Sequence, residues 1–476
     1  MSDEKNDLPE ETAGKESGKK VDRRDFLQVL TAVPVLGLFG YALQKEIRYN
    51  KAQKAAKSGA KVTASDLSDL NVALIGAGAQ GEVLMNAMLK IPNIRFRAVC
   101  DIWTEYSLKK AVRLLKKYKF DVNGYEDYRD LLDKEKDLDA VIIATPDFWH
   151  AQHTVDCLQA GLNVYCEKEM SNTLEEAKRM VLAARETGKL LQIGHQRRSH
   201  PRYIHCYEKI LKEAKMIGRI VTVNGQWNRA PQPELGWSKR YTISEAKLNK
   251  YGFKSMEQFR NWRWYKGLGG GPIVDLGSHQ IDIYNWFLEA RPKAVIASGG
   301  TDYYPKATHE WYDTAMVIFE YETKAGMTRA YYQTQTTNGS QGYYENFMGD
   351  QGTLVISESE AGYPGSIYRQ PQAPPWDEWV RKGYVSAPEI QLLKPETEAV
   401  LDVRETISPD EHKVPIEMHD PYHMPHLENF FNAVRGTEEL NCPAEVGYET
   451  AVTVLKVNQA IEEGKRLYFS PSEFEV

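Results

Sequence analysis

Between residues 70 and 198, short apolar runs alternate with segments whose apolar residues return every three or four positions. Val72–Ile75, Ala140–Ala144, Asn163–Cys166 and Leu190–Gly194 have the length and composition of buried strands. The stretches after Gly81, around Tyr106–Tyr118, at His153–Ala160 and across 173–187 read as helices. Strand and helix in alternation predict a parallel sheet covered on both faces. Beyond Pro201 the rhythm changes. A helix is expected through 202–214, an extended segment at Ile217–Trp227, an aromatic-rich insertion over 228–266, and one helical stretch at Ile273–Leu288. Ala294–Gly299, Thr314–Tyr321, Thr328–Thr334, Tyr343–Met348 and Gly352–Ser357 then follow as short strands. That order predicts an α+β unit with a large, mainly antiparallel sheet and helices on one face. Residues 358–415, proline-containing and aperiodic, read as a long surface excursion, and helices at Leu427–Val434 and 444–463 follow.

The first apolar run leads directly into Gly76, Gly78 and Gly81 at G-x-G-x-x-G spacing, with Ala79 and Gln80 between them. The next apolar stretch ends at Asp101, 20 residues past Gly81. A dinucleotide-binding βαβ unit needs this order. The first glycine allows a tight turn, the second lets backbone approach a pyrophosphate, and the third lets helix and strand pack closely. Unpaired N–H groups at the helix start then meet phosphate oxygens. A carboxylate at Asp101 accepts hydrogen bonds from the adenosine ribose and repels an extra phosphate, which favours NAD over NADP. A glycine-rich turn with no ligand is the plainer alternative, but the strand, helix and acidic strand end agree with one another. The expected division is therefore 70–198, a Rossmann-type NAD-binding domain; 199–430, an α+β domain for substrate and oligomerisation; and 431–476, a helical segment packing near their junction.

In such sheets functional groups gather beyond the carboxyl ends of the strands. That rule puts Thr145, Pro146 and His150, then Glu167 and Lys168, then His195, Arg197 and Arg198 on one rim with the glycines. The densest polar stretch elsewhere is Gly269 to Asp282, in which Asp275 and His279 stand four apart and share a helix face. A carboxylate beside an imidazole makes it a better proton acceptor; the bland alternative is a helix cap and a buried histidine. Lys168 would stabilise a developing alkoxide, or else pair on the surface with Glu167 or Glu169. Arg197 and Arg198, with His195, are candidates to grip substrate oxygens, in competition with domain-interface ion pairs. Trp227, Arg260, Trp262, Trp264 and Tyr265 suit a carbohydrate platform as well as they suit a core. His419, His423 and His426 lack a compact metal signature; no metal site is expected, and one or two of them are expected at the substrate cleft.

The formal net charge of -6 offers no basic field for nucleic acid. The five cysteines are too scattered for a disulfide framework or a zinc cluster. The N-terminal region 1–45 has a polar start, Arg23-Arg24-Asp25-Phe26-Leu27, and an apolar run through Leu43, followed by a Lys/Ala/Ser-rich linker at 46–69. This resembles a twin-arginine export signal, with Asp22 where Ser or Thr is usual. It predicts a periplasmic or exported protein, cut imprecisely or held at the membrane by an uncleaved signal, with the twin-arginine machinery as a partner. Because that route carries folded proteins, NAD(H) is expected to be tightly bound and recycled.

The ordered motifs G76-A-G-A-Q-G81, Asp101, T145-P-D-F-W-H150, E167-K168, G269-G-G-P-I-V-D275-L-G-S-H279-Q-I-D282 and N441-C-P-A-E445-V-G-Y448 together resemble the Gfo/Idh/MocA oxidoreductase family over about residues 70–476. The resemblance implies that Lys168 polarises a substrate hydroxyl, Asp275 orients substrate and His279 is the acid/base. It also implies that Pro146, His150 and Glu167 lie near the nicotinamide ribose. Glu169 departs from the family's usual proline and is free to pair with Lys168, bind a hydroxyl or point away. The implied activity is NAD(H)-dependent oxidation or reduction of a sugar, glycoside or polyol by a homodimer or homotetramer. Two alternatives are a glycoside hydrolase working through transient oxidation, elimination, hydration and re-reduction, and a noncatalytic nucleotide- or sugar-binding protein.

Overall fold

The computed structural model describes residues 67–360, 363–388 and 409–476; the expected export signal and nearly all of the linker lie outside them. The parallel sheet forms as its apolar runs require. Its strands are β1 (Leu70–Ile75), β2 (Ile94–Cys100), β3 (Asn123–Tyr125), β4 (Ala140–Ile143), β5 (Asn163–Cys166) and β6 (Leu191–Ile193). They lie in the order β3-β2-β1-β4-β5-β6, all parallel. Every residue of β4 is buried, as a strand covered on both faces must be. The covering helices are α1 (Ala79–Met88), α2 (Lys109–Lys117), α3 (Tyr128–Lys134), α4 (Asp147–Gln159) and α5 (Leu174–Thr187). The helix expected at Tyr106–Tyr118 opens with a π-helical turn, Thr104–Leu108, before α2.

The short helix α6 (Pro201–His205) continues as a π-helical segment, Cys206–Glu213, and leads to β7 (Ile220–Asn228). The insertion then supplies α7 (Glu245–Lys250) and α8 (Met256–Arg260), followed by α9 (Gly271–Asp275) and α10 (Gly277–Leu288). One helix was expected over 273–288; two are found, broken at Leu276. Gly277 starts the second helix where a Cβ would lie only 3.0 Å from the Tyr332 ring, so the helix enters in close contact with the sheet. The sheet itself contains β8 (Pro292–Gly300), β9 (Thr314–Thr323), β10 (Gly326–Gln335), β11 (Tyr343–Gly349), β12 (Gly352–Ile356), β13 (Ser366–Arg369), β14 (Asp410–Lys413) and β15 (Leu467–Tyr468). With β7 they run β14-β13-β12-β11-β7-β10-β9-β8-β15, and only the β7–β10 pair is parallel. Residues 358–415 are thus no mere surface excursion: β13 and β14 extend the sheet on either side of α11 (Asp377–Arg381). Their four-residue lengths leave little periodicity to read.

Along β9 the period is two: Ala315, Val317, Phe319 and Tyr321 are buried, whereas Met316 and Ile318 are exposed. The buried face carries α10 and α13 (Ala444–Glu463), and α12 (Met424–Val434) lies against α1. The C-terminal segment ties the two sheets together. Ile193 donates its N–H to the Cys442 carbonyl at 3.0 Å, α13 packs on α5, α10 and β8, and β15 pairs with β8. One apolar core consequently runs from β1 and β4 through α13 to β9 and β10. Fully burying each Val, Leu, Ile or Phe in it contributes about 1.5–3 kcal/mol.

Candidate active site

A cleft of about 600 Å³ opens at the carboxyl ends of the parallel strands and reaches the second sheet at Trp227. Its nucleotide end is made by backbone. Gly76 has φ +92°, and a Cβ there would lie 2.5 Å from the Ala144 carbonyl oxygen. At Gly81 a Cβ would fall 2.0 Å from the Gly76 oxygen, so the turn and α1 close only around glycine. Gly78, immediately before α1, has nothing within 4 Å of a built Cβ and faces the cleft. These are the positions at which a pyrophosphate needs room, and the residues present fit NAD. The Asp101 carboxylate accepts the Ala77 N–H at 2.8 Å and the Trp103 N–H at 2.7 Å, and burial raises its pKa despite those bonds. Arg260 stands 5.0 Å over the Trp103 ring, and its charge is felt at Asp101. It belongs to the adenosine end of the cleft rather than to a sugar platform.

The insertion encloses this end. Ile243, Leu248, Phe253, Met256 and Trp262 pack with Trp103 into a small separate core. Trp149 donates to the Tyr251 carbonyl at 3.1 Å and Lys247 pairs with Glu126 at 2.7 Å, which fastens the insertion to the rim. Thr145, Pro146 and Glu167 line the cleft as expected of the rim. Glu167 accepts from Gln80 at 3.1 Å, and Gln80 is also 3.0 Å from His423. His150, by contrast, is buried behind the wall. Its two ring nitrogens meet the carbonyls of Glu169 and Thr145, each at 2.8 Å, and burial pushes its pKa down to about 4. It shapes the loop and does not reach the cleft.

At the other end Lys168, Asp275 and His279 come together, although not in the arrangement that helical spacing suggested. The break at Leu276 separates Asp275 from the His279 helix. Lys168 Nζ lies 3.1 Å from Asp275 Oδ1 and also donates to the Asp275 carbonyl, while Arg263 Nε stands 3.3 Å from Oδ2. Those cations hold the Asp275 carboxyl far below the usual carboxylate range, against the opposing effect of burial. The His279 ring is 5.4 Å from Trp227, and its Nδ1 is buried without a partner. Burial, then the charges of Lys168 and Arg197, keep this imidazole neutral. A neutral imidazole beside a lysine ammonium can take a hydroxyl proton while the ammonium stabilises the oxygen.

Several expected substrate contacts are spent on the fold. Arg197 pairs with Glu345 and lies 3.4 Å from Glu358, and Arg198 bonds both oxygens of Asp282 at 2.9 Å; both side chains are largely buried. His195 is buried behind the cleft, 6.4 Å from the His279 ring. Tyr265 is not in the lining, whereas Trp227, Trp262 and Trp264 are. His423 reaches the cleft, His426 is buried against Ser199 and the Ile193 carbonyl, and His419 is exposed. No group of His, Cys, Asp and Glu among the described residues could hold a metal ion.

Glu169 turns inward. One of its oxygens accepts the Met170 N–H at 2.7 Å, the other has no partner, and burial raises its pKa to about 8. Three lining residues carried no sequence signal that singled them out. Asp147 is buried beside this cluster, its pKa pushed up to about 7 by burial and by the Asp275 charge. Its place in T-P-D-F-W-H at a strand end was the available clue. Arg263 and Arg229 sit in aromatic, aperiodic sequence that has no clue of that kind.

The chain matches, over residues 70–195, the model of an oxidoreductase family with an NAD-binding Rossmann fold, and over 209–355 that of the GFO/IDH/MocA C-terminal domain. It is 26% identical over 295 residues to inositol 2-dehydrogenase of Rubrobacter xylanophilus, covering 61% of this chain and 72% of that one. Levoglucosan dehydrogenase of Pseudarthrobacter phenanthrenivorans is 24% identical over 320 residues, 61% of this chain and 74% of its own. The solved structure of a levoglucosan dehydrogenase in complex with NADH superposes with a TM-score of 0.61 at 16% identity, over 84% of this chain and 99% of the other, which shows a shared fold. With a glycine turn open for pyrophosphate and both domain models matched in order, this chain belongs to the Gfo/Idh/MocA family of NAD-dependent oxidoreductases.

Proposed function

We propose that this protein is an exported NAD(H)-dependent dehydrogenase of a sugar, glycoside or related polyol, with NAD held tightly and recycled. The observation that carries this reading is one cleft lined both by Gly78 and by Lys168, Asp275 and His279. NAD, when bound, would supply the acceptor for hydride from the carbinol carbon. Lys168, fixed by Asp275 on one side, holds the substrate hydroxyl by its oxygen and stabilises negative charge there. His279 takes the hydroxyl proton, so the carbon–oxygen single bond becomes a carbonyl as proton and hydride leave. The inositol and levoglucosan dehydrogenase relatives support the choice of a polyol or sugar. Self-association through the open face of the second sheet is part of the same reading, supported by exposed Ile296, Met316 and Ile318.

The test is to purify the full chain, identify released nucleotide by mass, and follow absorbance near the NADH band while sugars and aryl glycosides are added. Sugar-dependent reduction with a keto product is expected. Cleaved glycoside with no net NADH would replace dehydrogenation by redox-neutral hydrolysis; bound NAD and bound sugar without turnover would leave only a binding protein.

A further inference from the structure

Arg197 and Arg198, the arginines that sequence offered for gripping substrate, are consumed by Glu345, Glu358 and Asp282. Arg229 is not. It follows the last residue of β7, where its backbone N–H is fixed to the Gln335 carbonyl at 2.8 Å. Its guanidinium stands 5.3 Å over Trp227, the ring that flanks His279, and the residue lines the cleft. Among the described residues its side chain has no hydrogen-bond or ion-pair partner. A half-buried arginine left unpaired beside a reaction centre has five N–H donors to offer a ligand.

The surrounding charge makes the same point. Lys168, Arg263 and Arg229 all act on the single Asp275 carboxylate. Asp147, a second acid there, has its carboxyl pKa raised to about 7 by burial and by the Asp275 charge. Glu358 is already engaged with Gln196 and Arg197, and the charge of Glu234 acts on His309 and Tyr265. Glu167 and Glu234 also line the cleft, so the positive charge is local: three cations face the Asp275 carboxylate where oxidised nicotinamide, itself cationic, would be brought. Like charges in a low-dielectric cleft repel, and an anion placed among them relieves that repulsion.

We infer that the substrate is a sugar or polyol bearing a carboxylate, of the hexuronate or aldonate class, and that Arg229 beside Trp227 grips that carboxylate while the reacting hydroxyl meets Lys168 and His279. Arg229 is thus a specificity residue. The inference rests on the dehydrogenase reading and narrows its substrate class.

The experiment pairs neutral sugars with their carboxylate congeners, glucose with glucuronate and galactose with galacturonate, on the full-length protein. Sugar phosphates form a third arm. We expect kcat/KM for the preferred hexuronate to exceed that for its neutral congener at least about 10-fold. In Arg229→Gln that ratio should fall roughly 10–100-fold, the loss of one charge-assisted bidentate contact, and Arg229→Lys should recover part of it. Hexuronate quenching of tryptophan fluorescence should weaken with added salt in the wild type and lose that salt dependence in Arg229→Gln. Equal turnover of acid and neutral sugars, an equal loss of both in Arg229→Gln, or a preference for the phosphates would each overturn the inference while leaving a sugar dehydrogenase. Absence of nucleotide reduction by any sugar would instead overturn the dehydrogenase reading, and the inference with it.

Discussion

At the nucleotide end of the cleft, position is set by backbone: Gly76 and Gly81 fix a turn that excludes side chains, and Gly78 leaves the space before α1 open. At the substrate end, Lys168, Arg229, Arg263, Asp275, His279 and His423 come from separate segments of both domains and position one another. The first kind of site is local, so its spacing can be read along the chain. The second depends on topology, on which arginine meets which acid. Arg197 and Arg198 stand near a strand end as Lys168 does, yet they lock the domains together. Being charged and on the rim does not make a residue available. What distinguishes Lys168 and Arg229 is that both line the cleft, whereas Arg197 and Arg198 do not.

This contrast is broken most severely at the reacting group. Lys168→Met and His279→Gln should each lower kcat by about 10²–10⁴-fold, the range for removing a positioned proton donor or acceptor. Nucleotide released on denaturation should remain stoichiometric in both. Loss of bound nucleotide in step with activity would mean that the two ends are one unit.

Arg198→Met should destabilise the fold by about 3–5 kcal/mol in urea titration, because it strands the buried Asp282 carboxylate. Arg229→Gln, which strands no partner, should stay within about 0.5 kcal/mol of the wild type. Equal costs would erase the distinction between arginines that lock and arginines that bind. At the nucleotide end, Gly78→Val adds a branched side chain where only open cleft exists. NAD should bind roughly 10–100-fold more weakly, a loss of about 1.4–2.8 kcal/mol, with the melting temperature of the nucleotide-free protein little changed.

The parallel sheet and its rim were legible because buried strands and the glycine turn leave a local imprint on sequence. Most strands of the second sheet were legible by alternation, as along β9. What failed was long-range or short. β13 and β14 have four residues each, too few for a period. The helix breaks at Leu276, and Gly277 then packs against Tyr332, more than 50 residues away, a contact that no local pattern signals. His150, four residues into a helix at a rim, has the sequence signature of a cofactor contact, and only its two backbone partners show otherwise. The Asp275–His279 spacing was read as a dyad; in space Asp275 serves Lys168 and Arg263.

Glu169 sharpens the comparison with the smallest effect. Sequence alone allowed it to pair with Lys168 and so to belong to the reactive cluster. In the structure it is buried, with one oxygen on the Met170 N–H and the other unpartnered, and its pKa is raised from 4.5 to about 8. A carboxyl whose folded pKa is raised favours the native state fully below its unfolded pKa. That contribution is lost as pH climbs, because the unfolded chain releases the proton first. The contribution of this group to wild-type stability should therefore decline between pH 4.5 and about 8, on the order of 1 kcal/mol per pH unit, and level off above, on top of the opposite trend that the buried histidines give below about pH 6.5. Glu169→Gln keeps an oxygen for Met170 and imitates the protonated acid, so the difference between variant and wild type in urea titrations should grow steadily across that window. Glu345 and the buried histidines tilt both proteins alike and cancel in the difference, whereas Asp147, whose charge acts on Glu169, is held constant by making the comparison in an Asp147→Asn background. If the difference stays flat, Glu169 is ionised throughout. Its charge would then be held by Lys168, and the boundary between reactive cluster and buried support would have to be redrawn to include it.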